Sequence, residues 1–146
     1  MKWVTRARPK IDRIACPWLV ARFIDPAAEF LYVPADQVLK VAGETGAIPY
    51  DVPDVEYGHV GELCSFDAFL RIHQLTDPAL QRLAVIVRGA DTGRPDLAPE
   101  CAGLLAQSLG LSALYPDDHE MLRHGMAMYD AYYAWLRQAR NETHPA

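Results

Sequence analysis

The stretch VEYGHVGELCSFDAFL puts an imidazole, two carboxylates and a thiol within nine residues, at His59, Glu62, Cys64 and Asp67. These are nitrogen, oxygen and sulfur donors that Zn or Fe accepts. Their spacing matches no standard zinc pattern, and no two residues form an H-x-x-x-H pair. If a strand ends near Gly61, His59 leaves the sheet just before the turn and Cys64 stands beside the free N–H groups of the next helix, a position that can hold a thiolate. The structural reading of the same residues is equally coherent: Ser65 caps the helix, Asp67 in its first turn favours the dipole, and Cys64 packs.

Two further clusters are candidates. DDHE, Asp117 to Glu120, opens the longest helical pattern in the chain. Its acids and His119 can bring ligands to a metal, or serve only as an exposed cap. His124 follows His119 by five residues, about 500° round a helix, so the two do not share a face. In VRGADTGRPD, Arg88, Asp91, Arg94 and Asp96 surround a glycine-rich helix exit. An inward-facing Asp91 must find a cation or hydrogen-bond donors. Either an Arg–Asp pair fixes the loop, or Asp91 is a metal ligand and the arginines clamp an oxyanion. Arg13, ahead of Cys16 and a helix predicted to begin at Pro17, would strengthen an anion site at that helix start. His73 and His144 have no positional argument for a role. The metal-ligand candidates are therefore His59, Asp118 and His119 first, predicted to share one cleft, with Glu62, Cys64 and Asp91 behind them. The oxyanion candidates are Arg13, Arg88 and Arg94. Zn or Fe suits the mixed donors best and Mn is admitted, with catalysis left open.

The elements that must position these groups follow from periodicity and punctuation. KWVTR and AEFLYVP read as strands, with the helix CPWLVARFI between them. ADQVLKVAGETG reads as a helix closed by Gly43 or Gly46, and VEYGHV as a short edge strand. Ser65, Asp77–Pro78, Ala98–Pro99 and Asp117–Asp118 then introduce four helices in succession. The expected fold is α+β: a small N-terminal three-stranded sheet and a largely helical C-terminal half, as a single domain over 1–146 with its core at about 3–138.

Composition narrows the function classes. The 146 residues are 51% hydrophobic, ample for one core, and carry a formal net charge of −5. An acidic average disfavours a general electrostatic grip on nucleic acid or anionic lipid. No apolar run reaches bilayer length and MKWVTRARPKID has no signal-peptide h-region, so a cytoplasmic protein is expected. Three cysteines without CxxC spacing point to free thiols rather than a disulfide scaffold. GETG and RGADTG match neither the Walker nor the dinucleotide pattern, and Ser65 and Ser108 lack a nucleophile-elbow context.

Four blocks in order, DRIACPWLVARFIDPAAEFLYVP, GAIPYDVPDVEYGHVGELCSFDAFL, IVRGADTGRPDLAPECAGLLA and DDHEMLRHGMAMYDAYYAW, resemble the family of the C-terminal domain of the chromate-resistance protein ChrB. The resemblance runs from about Arg13 to Trp135. It implies a role around chromate resistance or oxidative stress. Longer members are described as chromate-responsive regulators with an additional N-terminal domain, so direct nucleic-acid binding is not expected of this chain alone. The leading expectation is a metal-binding protein of the chromate/oxyanion or oxidative-stress response, acting as a small metal-dependent enzyme or as a binding protein. If the ion were Fe or Mn, superoxide dismutation would be open to it. The alternatives are an oxyanion-sensing module and, ranked lower, a thiol redox protein. The expected partner is a small oxyanion or small-molecule substrate, with no membrane; homo-oligomerisation stays open.

Overall fold

Trp3, Val4 and Thr5 are buried on a strand of only five residues, so β1 (Lys2–Arg6) lies in the middle of its sheet, covered on both faces. It pairs in parallel with β2 (Glu29–Val33) on one side and with β3 (Ile48–Pro49) on the other, giving the order β2-β1-β3. Parallel neighbours need crossovers. The first is α1 (Asp12–Leu19), which runs on through wide turns at Val20–Ile24; the second is a short 3-10 turn leading into α2 (Val38–Thr45). Alternation along β1 separates two cores. Val4 joins Val38 and Ala47 under α2, whereas Trp3 enters the large core with Ile14, Trp18, Phe66, Phe69 and Leu80. Gly46 closes α2 in the left-handed conformation, φ +76°, which costs a residue without Cβ nothing.

Beyond β3 the structure, a computed structural model describing residues 1–143, contains α3 (Ser65–Ile72), α4 (Pro78–Asp91), α5 (Cys101–Leu114) and α6 (Asp118–Ala134). His144 lies outside the described residues. The α+β arrangement, with a three-stranded N-terminal sheet and no strand past Ala90 among the described residues, is as the sequence predicts. No helix among them is long and apolar enough to cross a membrane.

Three local expectations are corrected. α1 starts at Asp12 and contains Pro17, because Ile11, Ile14, Ala15, Trp18 and Leu19 already recur at helical spacing and all enter the core. Pro17 removes one N–H, and the carbonyl it would have served, on Arg13, lies 3.5 Å from the Tyr32 hydroxyl instead. The third strand is Ile48–Pro49 rather than VEYGHV, which makes only isolated bridges, Tyr50 with Tyr57 and Val60 with Leu63. Cys64, not Ser65, is the N-cap of α3.

α6 crosses α1 at Gly125, where an added Cβ would stand 2.4 Å from Ile14 Cγ2. Gly125→Ala is therefore expected to destabilise the fold by about 1–3 kcal/mol through overpacking. Chemical denaturation checks this, and an unchanged midpoint would show that the helices can separate freely.

Candidate metal centre

Asp12 stands in the first turn of α1 with its side chain fully buried (0% exposed). Its carboxylate reaches the start of α3, accepting the N–H of Ser65 at 2.8 Å and of Phe66 at 3.0 Å, while the Cys16 thiol donates at 3.3 Å. A carboxylate from one helix thus caps another, satisfying two of the N–H groups that a helix start leaves unpaired. The backbone entering this residue is strained. Ile11 has φ +44°, a rare conformation for a β-branched residue, and the Tyr129 hydroxyl of α6 holds it by donating to its carbonyl at 3.0 Å.

Asp51 follows β3 and the buried Tyr50, whose amide bonds to Val4 of β1. One oxygen of Asp51 accepts from the Ser65 hydroxyl at 2.9 Å; the other faces Arg6 Nη2 at 3.2 Å and Arg13 Nε at 3.5 Å. Asp91 lies at the last turn of α4. Its position follows from the packing of Leu80, Leu83, Ala84 and Val87 in the core.

These three carboxylates converge on one atom. His59 Nε2 is 2.9 Å from Asp51 Oδ1, 3.2 Å from Asp91 Oδ2 and 3.5 Å from Asp12 Oδ2. One N–H carries one proton and cannot serve three acceptors at full strength. Asp51 has its two arginines and Asp12 its backbone donors, whereas among the described residues Asp91 makes its side-chain ion pair with His59. The charges respond accordingly. Hydrogen bonds to Asp12 and Asp51 raise the His59 pKa to about 10. Burial, reinforced by Asp12 and Asp51, raises that of Asp91 to about 7. Burial also pushes Asp12 up, against the pull of His59. For Asp51 burial is outweighed by hydrogen bonds from His59 and Ser65, and its pKa is lowered.

Among the described residues, Asp12, His59 and Asp91 form the group whose ligand atoms all lie within 4.8 Å of one another. One imidazole nitrogen and two carboxylates, with surplus negative charge and the imidazole 42% exposed, suit a divalent cation approached from one open side. A cavity of about 260 Å³ bounded by Arg6, Asp51, Val52, Pro53, Asp54 and His59 reaches the imidazole.

The other residues singled out in the sequence go elsewhere. Asp118 and His119 are outside the His59 group: Asp118 accepts from the Arg8 amide at 3.0 Å and from its Nη1 at 2.8 Å, and the His119 ring packs edge-on against Tyr32 at 5.4 Å. The structure groups His59 with Asp12 and Asp91, and not with the Asp118 and His119 that the sequence set beside it. Cys64 is buried, its thiol donating to Asp67 at 3.3 Å. Burial and the carboxylates of Asp12 and Asp67 push its pKa well above the ordinary thiol value, so the helix start does not hold a thiolate here. Glu62 is exposed at the tip of the Val60–Leu63 turn. Arg88 grips both oxygens of Asp67, at 2.8 and 3.0 Å, and Arg94 grips Asp96. Arg13 Nη1 donates to the carbonyls of Arg6 and Ala7. Asp12 and Asp51 were missed by sequence reasoning. The helical spacing that begins at Ile11 would have revealed Asp12 as a polar residue inside a buried helix; nothing local marks Asp51.

The chain matches the family model described as ChrB, C-terminal domain, over residues 3–136. It is 31% identical over 140 residues to Protein ChrB of Cupriavidus metallidurans. The alignment covers 95% of this chain and 42% of that protein, so the chain spans less than half the length of the relative. No solved structure matches the chain.

Asp12→Ala would leave the Ser65 and Phe66 amides buried without an acceptor, and is expected to cost about 2–4 kcal/mol in chemical denaturation. A loss below about 0.5 kcal/mol would contradict the capping role. In chelator-treated protein, NMR titration should place the His59 midpoint near 10, well above the ordinary histidine value. The sign follows: the folded pKa is raised, so the His59 ion contributes stability that is complete below about pH 6.5 and lost as pH rises through about 10. A midpoint near 6.5 would show that the carboxylates do not hold the proton.

Proposed function

Because the chain belongs to the ChrB C-terminal domain family, we propose that it is a metal-binding protein of the chromate or oxidative-stress response, with Asp12, His59 and Asp91 as the metal's ligands. The observation that carries this reading is the convergence of three carboxylates on a single imidazole nitrogen, more acceptors than one proton serves. A dication neutralises that surplus where a proton cannot. The domain is a single unit acting in the cytoplasm, with its metal facing the small cavity beside Arg6.

The donor set bears on the ion. The thiols of Cys16 and Cys64 donate to Asp12 and Asp67 and are not offered to the cluster. Oxygen-rich ligation with one imidazole suits Fe(II) or Mn(II) at least as well as Zn(II). A bound metal would supply Lewis acidity or, for Fe and Mn, one-electron chemistry. The protein's own part is to hold the ligands: the helical frame of α1 and α4 fixes Asp12 and Asp91, and Asp51 stands beside the His59 nitrogen that would face the metal. Asp51, tied to Ser65, Arg6 and Arg13, is held ionised beside the cavity.

One observation favours an oxyanion-binding module as a second reading. Arg88 and Arg94 line one cavity of about 340 Å³ with Glu62 and Thr92, and each uses Nε and Nη2 in its clamp, leaving Nη1 outside it. A thiol redox role has less support, since Cys16, Cys64 and Cys101 are all buried.

Elemental analysis of protein purified without an affinity tag separates the readings. The first predicts about one Fe, Mn or Zn per chain. His59→Ala and Asp91→Asn should each weaken its retention at least tenfold, and His119→Ala should leave it unchanged. Metal-free protein that also fails to take up added Mn(II), Fe(II) or Zn(II) would refute it, and measurable sulfate or chromate binding by such protein would favour the second.

A further inference from the structure

α5 (CAGLLAQSLGLSAL) contains no Asp, Glu, Lys or Arg in fourteen residues, yet only Cys101, Leu104 and Ser108 are fully buried. Leu105, Leu109 and Leu114 are exposed, with Leu114 at 66%. A surface helix ordinarily turns a charged face to water, and a helix apolar all round is ordinarily buried. α5 is neither in the isolated chain.

The exposed surface has relief. At 100° per residue, Leu105 and Leu109 form a ridge on one flank. Gln107, Leu111 and Leu114 lie on the other flank, facing α6. There they border two cavities, of about 430 and 640 Å³, that share Gln107 and Met128 and so form one groove along the α5–α6 seam. Its floor is pinned by the Tyr132 hydroxyl donating to Gln107 at 2.7 Å. Between ridge and groove the helix carries only Ala and Gly, at Ala102, Ala106, Gly110 and Ala113.

We propose that this face is the interface through which two copies of the chain form a homodimer. Three observations select a second copy. The ridge and the groove occur on the same face, and a two-fold axis running along α5 lays each copy's ridge over its partner's groove, as a closed isologous contact requires. The chain has a net charge of −5, so two copies repel wherever their acidic surface meets; α5 itself carries no charged side chain, and its N-cap Glu100 borders the groove at one end. The extent is also adequate for association of modest strength. Fourteen residues span about 21 Å, and two helix widths about 20 Å, roughly 400 Å² in plan per copy before side-chain relief. Two copies thus cover about 800 Å² in plan, the size of a weak, reversible contact below the ~1,200 Å² total at which standard specific interfaces begin. The expected affinity is micromolar.

Sedimentation velocity from about 1 to 200 μM tests this. The expected result is a concentration-dependent shift from the 16.3 kDa chain mass to twice that value. Leu109→Glu should remain monomeric across the range with an unchanged circular dichroism spectrum. Leu39→Glu, at an exposed leucine of α2, should dimerise like the wild type. A wild type that stays monomeric at 200 μM overturns the proposal, as does a Leu109→Glu variant that dimerises or a Leu39→Glu variant that does not. The metal centre has no part in this contact, and chelation should leave the dimer intact.

Discussion

The carboxylate of Asp12 is a charge placed entirely out of water, and the arrangement of the first ninety residues follows from the need to satisfy it. Two backbone amides of α3 and the Cys16 thiol bond to it, and His59 approaches it from the solvent side. Ordinary helix caps are local. This one ties α1 to the beginning of a helix more than fifty residues away, and so fixes the segment that follows the sheet. Burying such a group without partners would cost several kcal/mol, so α1, α3 and His59 must assemble together.

The same constraint explains why strain collects at this point. Ile11 and Asp51 both adopt positive φ, at +44° and +52°. Conformations of this kind cost of order 1–3 kcal/mol each and persist where the surroundings over-determine them. Here Tyr129 holds Ile11, while Ser65, Arg6 and Arg13 hold Asp51. The result of this outlay is a concentration of carboxylates about His59 that a single proton does not balance. A stable scaffold has no need of it, whereas a cation site does. A small cavity adjoins His59 and Asp51 on the solvent side.

Much of the fold was legible because it is written in local signals. Asp77–Pro78 marks the start of α4, Asp117 caps α6, and alternation along KWVTR marks the central strand. The centre was half legible. His59 and Asp91 stood out as polar residues at element ends. Asp12 was hidden by Pro17, which reads as a helix start although the core-facing spacing continues through it. Asp51 was hidden in a loop whose prolines and glycines give no periodicity. Asp118 and His119 drew attention through their density, yet a helix start rich in acids has a sufficient role in capping, and here Asp118 anchors Arg8. Which termini meet depends on how the helices pack onto the sheet, and no local pattern encodes that.

The central claim is that one imidazole, from His59, shares a metal with carboxylates supplied by α1 and α4. Pulsed electron paramagnetic resonance on the Mn(II)-loaded protein reads the donor atoms directly. The account predicts coupling to the nitrogen of a single histidine, abolished in His59→Ala and retained in His119→Ala. Coupling to two histidines, or a nitrogen coupling that survives loss of His59, would contradict it.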